Sequence, residues 1–539
     1  MKKILLFILL LGAALRLLLL GEIPIGFFRD EAAMGYNAYS ILKTGMDEFG
    51  MSYPLVFRSF EVFFLPLYVY LTVIPVGLMG LTEFSVRILS ALSGVLTIFT
   101  AYLIAKEVWN EKVGLWGALV LAISPWHIFY SRGTFEGNLA LCLFSLGFYF
   151  WIRFVDKWRI KNLIFSGVFF AISMYSYQAE RLVVPLFALG AVIINFDAIW
   201  KARFKLVLPL ILFAVILTPL FSLTMKAGGT HRAFGVSIFS KTTNPPGWID
   251  DVKPGFIANN KFYLKSREVA SLYLSYFSPR NLFIEGDYDR QRSVQNFSVL
   301  YPFMFPVLLL GLWFALKKSN IKIKLLIVWM LLGPVPAALT GDPFHTYRSL
   351  LTYLPLCLFI GYGIYMIFDS FKKYQKLLYL VLGALGAGSL VLFIYNYVFI
   401  TQAERANYWD YGYKEVVEFA SALPAGTRVI VDDQSSEAYI YFLFFGGANP
   451  AKYQEEIKKL SPPSNYYYES SEEIRPNRFG SFEFRPVDWP KERGDAGTVF
   501  VMWQNRLPES EFKTDPKVKL LKEIFYPDGK LAFRIVQIL

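Results

Sequence analysis

The sequence predicts a polytopic α-helical membrane protein with about eleven transmembrane helices, its N-terminus inside and its C-terminus outside, followed by an extracytoplasmic α/β domain. Three observations carry this. Of 539 residues, 55% are hydrophobic and the mean hydropathy is +0.41, with apolar runs of about 20 residues recurring along the chain. Basic residues gather in alternate short loops between those runs. The runs stop near residue 400, and the remainder alternates helix-like with strand-like stretches.

The first run, Ile4 to Leu20, follows Lys2-Lys3 and contains Gly12-Ala13-Ala14, so it resembles a signal peptide. It continues through Arg16 to Leu20, long enough for a retained anchor. The first outer loop (21–83) follows, and within it Val62 to Gly80 is apolar but interrupted by Pro66, Pro75 and Gly77. Positive-inside counting decides whether that segment spans. If it does not, the cytoplasmic loops carry Lys106 and Lys112; Arg153, Lys157, Arg159 and Lys161; Lys201, Arg203 and Lys205; Lys317, Lys318, Lys322 and Lys324; and Lys372, Lys373 and Lys376. The opposite short loops then hold only Arg132, Arg181 and Arg348, so residues 62–80 are expected to be juxtamembrane. The remaining spans are expected near 84–105, 113–131, 137–154, 162–178, 182–196, 206–223, 299–316, 322–340, 350–368 and 377–399.

This divides the chain into a transmembrane domain, 1–400, with a large outer loop at 225–298, and an extracytoplasmic α/β domain, 401–539. The second has helix patterns at Tyr413 to Leu423 and Ala451 to Leu460, and strand patterns at Thr427–Val431, Thr498–Met502, Val518–Phe525 and Leu531–Ile538. Tyr526-Pro527-Asp528-Gly529-Lys530 joins the last two as a hairpin turn. The proline-rich segment Ser461 to Pro490 is expected to be a long loop.

Composition also excludes function classes. The net charge of +12 does not signal nucleic acid, because its basic residues sit where cytoplasmic loops meet anionic lipid. The two cysteines, Cys142 and Cys357, lie in apolar runs and build neither a disulfide framework nor a thiolate metal site. Gly383, Gly386 and Gly388 fall inside an apolar span, where close helix packing explains them better than a nucleotide loop. With no Walker motif, a lipid-linked donor fits better than a sugar nucleotide.

Position relative to the membrane sorts the residues that could carry chemistry. Asp30 and Glu31 follow the first run directly, in the first turn of a predicted helix with Ala32, Tyr36 and Tyr39 on one stripe. Their bland reading is a solvated helix start. Other polar residues expected at outer helix ends are His127, Arg132, Glu136, Glu180, Arg181, Asp342, His345, Tyr347 and Arg348, all costly at that depth without a role or partner. A carboxylate there can act as a general base toward a hydroxyl, and arginines can hold a phosphate. Glu180 with Arg181, and Arg132 with Glu136, equally read as interfacial ion pairs.

Asp30-Glu31, then Pro66-Leu67-Tyr68 and Thr82-Glu83-Phe84-Ser85-Val86-Arg87-Ile88-Leu89-Ser90-Ala91-Leu92, resemble the GT-C superfamily of membrane glycosyltransferases. The nearer resemblance is to the group of protein O-mannosyltransferases and the lipid A aminoarabinose transferase. Ser124-Pro125-Trp126-His127 through Arg132, and His345-Thr346-Tyr347-Arg348, extend it over most of residues 1–400. Phe64-Leu65-Pro66-Leu67 stands where such proteins often have Lys-Pro-Pro-Leu, so the resemblance does not extend to aminoarabinose transfer in particular.

The resemblance implies inverting transfer of a sugar from a polyprenyl-phosphate donor to a protein, lipid or glycan acceptor on the outer face of the plasma or inner membrane. It assigns acceptor activation to Asp30 with Glu31 beside it, and Arg348, then Arg132 and Arg181, are the candidates for the donor phosphate. No cofactor is required; a divalent metal, if any, would draw on His127, Glu136, Asp342 and His345. The alternative is a transporter or flippase of lipid-linked saccharides, which should carry ionisable residues at mid-membrane, where these spans are read as uncharged apart from Arg16.

Overall fold

The computed structural model of the chain describes residues 1–60, 62–201, 203–224, 237–240, 260–434, 437–460, 466 and 477–539. Much of the expected loops at 225–298 and 461–490 therefore lies outside the described residues. The first helices are α1 (Lys2–Leu17), α2 (Arg29–Thr44), α3 (Pro66–Met79), α4 (Glu83–Val108), α5 (Glu111–Ile123), α6 (Pro125–Tyr130), α7 (Glu136–Lys157), α8 (Ile160–Ser173) and α9 (Glu180–Ile194). Further helices follow at Val207–Thr224, Met304–Lys317, Ile321–Leu332, Leu350–Ser370 and Gln375–Tyr395. Each apolar run expected to span thus contains a helix, and so does 62–80, as α3. Five helices among the described residues are long and apolar enough to cross a membrane, and shorter apolar helices accompany them. Two expected spans are broken, 113–131 at Ser124-Pro125 and 322–340 at Gly333-Pro334, where proline removes a backbone donor.

The chain forms two compact units: residues Met1–Leu18 with Ser90–Asn396, and Leu19–Leu89 with Tyr397–Leu539. In the first, the helix Leu350–Ser370 is buried on nearly every side. A Cβ on Gly311 would collide with the Phe359 carbonyl, and one on Gly361 would lie 2.5 Å from the Gly117 amide. Glycine there lets three helix backbones approach closely. Gly383 and Gly388 do no such packing, since a Cβ on either would meet nothing within 4 Å. Their helix, Gln375–Tyr395, is largely exposed.

The second unit departs from the expected boundary. The segment 21–83, expected with the transmembrane domain, clusters here with the C-terminal residues. The cause is a set of buried hydrogen bonds. Asn37 Nδ2 donates to Glu48 Oε1 (2.9 Å), and the Tyr439 hydroxyl to Glu48 Oε2 (3.1 Å). Gln454 Nε2 donates to the Asp47 carbonyl (2.8 Å), and the Tyr466 hydroxyl meets Asp47 Oδ2 at 2.6 Å. Helix α2 is accordingly buried over residues 31–38, not on one stripe, and Gly35 admits the ring of Phe444. Helix α3 packs on α2, and strands β1 (Phe57–Ser59) and β2 (Val62–Phe64) pair antiparallel beside it.

The C-terminal sheet contains β3 (Val429–Asp432), β4 (Arg478–Phe479), β5 (Phe482–Arg485), β6 (Val499–Trp503), β7 (Val518–Phe525) and β8 (Leu531–Ile538), in the order β4-β5-β3-β6-β8-β7. Strand β3 lies parallel to β5 and β6, and the other pairs are antiparallel. The hairpin β7–β8 has the bounds its sequence predicted; Gly529 takes φ +83° in the turn, which favours glycine. Strands β4 and β5 correct the expectation of a long loop at Ser461 to Pro490. Phe482 and Phe484 alternate with charged residues, and Gly480-Ser481 turns one strand into the other. The short helix Tyr439–Phe445, six of its residues buried, was not expected at all.

Candidate active site

The acidic pair lies in the second unit, where the two carboxylates differ sharply. Glu31 is buried, and its carboxylate receives Arg87 in a fork: Nε to Oε1 at 3.0 Å and Nη2 to Oε2 at 2.8 Å. Oε2 also accepts the backbone N–H of Phe28 (3.2 Å), so Glu31 closes the first turn of α2 in the manner of a capping box. Arg87 is fully buried and donates as well to the carbonyls of Leu20 (3.3 Å), Pro24 (3.0 Å) and Gly26 (2.5 Å). Glu31 therefore works as the anchor of the turn, which corrects the reading of a solvated helix start. Asp30 is half-buried, one residue earlier. The Arg29 N–H binds Asp410 Oδ2 (3.2 Å), and the Arg29 side chain pairs with Glu437.

The remaining candidates lie in the first unit. Arg132 is buried, and its guanidinium donates to the carbonyls of Leu15 (2.9 Å) and Leu18 (2.7 Å), where α1 ends. It thereby satisfies two orphan carbonyls of that terminus, a structural task that moves it down the order of phosphate candidates. His127 is buried with Nδ1 2.7 Å from Arg16 Nη2, while Arg16 also donates to the carbonyls of Gly12 (3.0 Å) and Ala122 (3.1 Å). Arg348 pairs with Asp342 at 2.5 Å and keeps part of its side chain exposed. His345 Nδ1 accepts the Arg348 N–H (3.3 Å), and burial, reinforced by the guanidiniums of Arg292 and Arg348, pushes His345 down to about 2. Its imidazole is thereby held neutral, one ring nitrogen keeping its proton.

Around them, Tyr347 accepts the Gly137 N–H (2.9 Å) and packs on Tyr130, Phe135 and Tyr177. Tyr347 and Glu180 both feel the Glu136 carboxylate, so these residues form one cluster. Within it, Glu180 Oε2 and Arg181 Nη2 are buried without a hydrogen-bonding partner among the described residues. Buried polar groups are nearly always satisfied, so these two atoms mark a place where a polar ligand could complete the structure.

The suggested metal set does not assemble. His127 offers its Nδ1 to a cation already, His345 its Nδ1 to a backbone donor, and Asp342 its carboxylate to Arg348. Among the described residues no three His, Cys, Asp or Glu side chains are grouped to hold an ion.

Residues 65–222 match the profile of the family described as dolichyl-phosphate-mannose-protein mannosyltransferase. Dolichyl-phosphooligosaccharide-protein glycotransferase 1 of Pyrococcus horikoshii is 29% identical over 199 residues, which are 33% of this chain and 19% of that protein. The match thus spans about a fifth of the curated relative's length. Crystal structures of ArnT from Cupriavidus metallidurans share the fold. The apo form superposes with a TM-score of 0.53 at 13% identity, over 96% of both chains. The form bound to undecaprenyl phosphate gives 0.55 at 11% identity, over 99% of this chain and 97% of that one. The chain has the GT-C fold. The resemblance read from its motifs is borne out, and its architecture is that of the ArnT structures, with a C-terminal sheet domain.

Within that GT-C frame, sequence reasoning missed Arg87 as a site residue, although it stands in a quoted motif and inside the span 84–105. A lone arginine in an apolar run was the signal, since such a charge needs a buried partner. It also missed Asp287 and Arg292. Asp287 Oδ2 accepts both the N–H (2.8 Å) and the hydroxyl (2.7 Å) of Thr346, and Arg292 Nε lies 3.3 Å from the same oxygen. These residues hold the His345–Arg348 turn in place. They lie in an irregular loop without periodicity, where nothing in the sequence singles them out.

Proposed function

We propose that this chain is an inverting glycosyltransferase that moves a sugar from a polyprenyl-phosphate donor to a hydroxyl of a protein, lipid or glycan acceptor on the outer face of the membrane. The observation that carries the reading is the division of labour in the acidic pair. Both oxygens of Glu31 are committed to Arg87, while Asp30 sits one residue earlier on the turn that this pair fixes. Asp30 is then the base: it takes the proton from the acceptor hydroxyl as that oxygen bonds to the anomeric carbon. The bond from that carbon to the phosphate oxygen breaks, and the leaving phosphate needs positive charge rather than a proton.

Arg348 and Arg181 are our candidates to supply that charge. The first is part-exposed and held by Asp342, and the second has a buried Nη2 without a partner among the described residues. Outer-face chemistry follows from the basic-loop asymmetry, and no step requires a metal.

The test is transfer by detergent-purified protein, normalised to folded material. Asp30→Asn is nearly isosteric and should lose ~10²- to 10⁴-fold in turnover while still binding the lipid donor. Near-normal transfer by that variant would overturn the assignment.

A further inference from the structure

The second unit holds a cavity of about 100 Å³ directly beneath the start of α2. Its walls include Phe27 and Phe445 on the apolar side and Glu83, Asp410, Lys414 and Glu415 on the polar side. Asp410 ties it to the acidic pair, since its Oδ2 accepts the N–H of Arg29, the residue before Asp30. We propose that this cavity is an acceptor subsite that takes a saccharide ring, so that the acceptor is a glycan. The proposal rests on the transferase reading above and deepens it.

The chemistry of the lining selects the class. Each carboxylate already has its charge compensated in part: Glu83 pairs with Lys414 at 2.7 Å, Glu415 lies 3.8 Å from Lys522, and Asp410 binds a backbone N–H. A second cation would have to compete with Lys414. Neutral donors would not, because a partnered carboxylate keeps lone pairs for hydroxyl hydrogens. Several hydroxyls on one rigid ring fit that need. The rings of Phe27 and Phe445, inclined at 59° with centroids 5.7 Å apart, supply apolar edges against which the C–H groups of a pyranose can pack. At about 100 Å³ the cavity is smaller than the roughly 150 Å³ that holds benzene, so it receives one edge of a sugar ring while the rest lies at the open mouth. The half-exposed side chains of Lys414 and Glu415 stand at that mouth.

The full-length protein in nanodiscs can be probed by saturation-transfer NMR with methyl α-D-mannopyranoside, methyl β-D-glucopyranoside and, separately, N-acetyl-threonine amide. Saturation should reach the ring protons of a glycoside and not the threonine amide. Lys414→Ala and Glu415→Gln, both at the mouth and removed from the core, should each weaken glycoside binding about tenfold or more, as loss of one charged hydrogen bond implies. Prior loading with dolichyl-phosphate mannose should leave that signal in place if the site serves the acceptor; displacement would assign it to the donor sugar and overturn the proposal. Threonine-amide binding without glycoside binding, or glycoside binding that neither substitution alters, would overturn it as well. Consumption of dolichyl-phosphate mannose by the same wild-type preparation tests the transferase reading independently. Donor use without glycoside binding sinks the subsite alone, and glycoside binding without donor use sinks the transferase reading alone.

Discussion

Replacing Arg87 with methionine should destabilise the second unit far more than an ordinary surface change. Arg87 has no exposure, and five N–H···O contacts of 2.5–3.3 Å join it to Glu31, Leu20, Pro24 and Gly26. Removing one partner of a buried ion pair typically costs roughly 3–5 kcal/mol, because the other charge stays buried alone. The orphaned carbonyls add to this, though not additively, at roughly 1–3 kcal/mol for each one that water cannot reach. We take ~4 kcal/mol as the floor, which in a unit of this size lowers the melting temperature by roughly 10 °C. The double variant Arg87→Met with Glu31→Met removes both charges and should regain about half the loss, the carbonyls of Leu20, Pro24 and Gly26 remaining unpaired. Thermal unfolding in detergent, followed by tryptophan fluorescence, measures all three proteins. A single variant within ~1 kcal/mol of wild type, or a double variant no better than the single, would refute the claim that this pair anchors the turn.

Arg348→Lys keeps the charge but loses the planar fork, so the Michaelis constant for the proposed polyprenyl-phosphate-linked donor should rise with folding intact; an unchanged value removes Arg348 from the donor site. Arg132→Lys should instead lower the melting temperature and leave that constant alone, because Arg132 closes the end of α1. Reporter fusions after Lys112, Lys161, Lys205 and Lys324 should report the cytoplasm and one after Thr401 the outside, and an outside signal at Lys112 would mean that 62–80 spans. Burial pushes the Asp47 carboxyl up to about 7 from its ordinary 3.8, so the folded state holds a proton that the unfolded state has lost between those values. The stability that Asp47 contributes is therefore fully present below about pH 4 and is lost as pH rises to about 7, by as much as ~4 kcal/mol, and Asp47→Asn should remove that part of the slope in denaturation measured from pH 4 to 8.

What was legible in the sequence was what periodicity and length encode. A helix stands in each apolar run from 84 to 399 because a run of that length can satisfy its backbone only within itself. The β7–β8 hairpin was legible because alternation and a Pro-Asp-Gly turn agree. Strands β4 and β5 were not, being two and four residues long in a proline-rich stretch whose order comes from the pairing of β5 with β3 across an intervening 49 residues. The membership of segment 21–83 was illegible for a related reason. The groups that fix it, Asn37 with Glu48 and Gln454 with the Asp47 carbonyl, are single polar residues separated by up to 407 positions, and no local pattern announces such a bond.

The acidic pair shows how far local reasoning reaches into a site. Adjacent residues on a helix point about 100° apart, so from the sequence alone Asp30 and Glu31 could not share one task equally. Helix-terminus chemistry adds a direction. The residue three positions after the N-cap is where a glutamate reaches back to the N-cap N–H, and with Phe28 as N-cap that residue is Glu31. Aspartate is too short to make that return from the same place and bind a fork at once. The longer acid thus suits the structural post and the shorter one the chemical post, provided something pairs the glutamate's remaining charge. That something is Arg87, 56 residues away. The local rule supplies the candidate for the anchor; only the tertiary contact makes it one, and a swap of Asp30 with Glu31 would have to rebuild both.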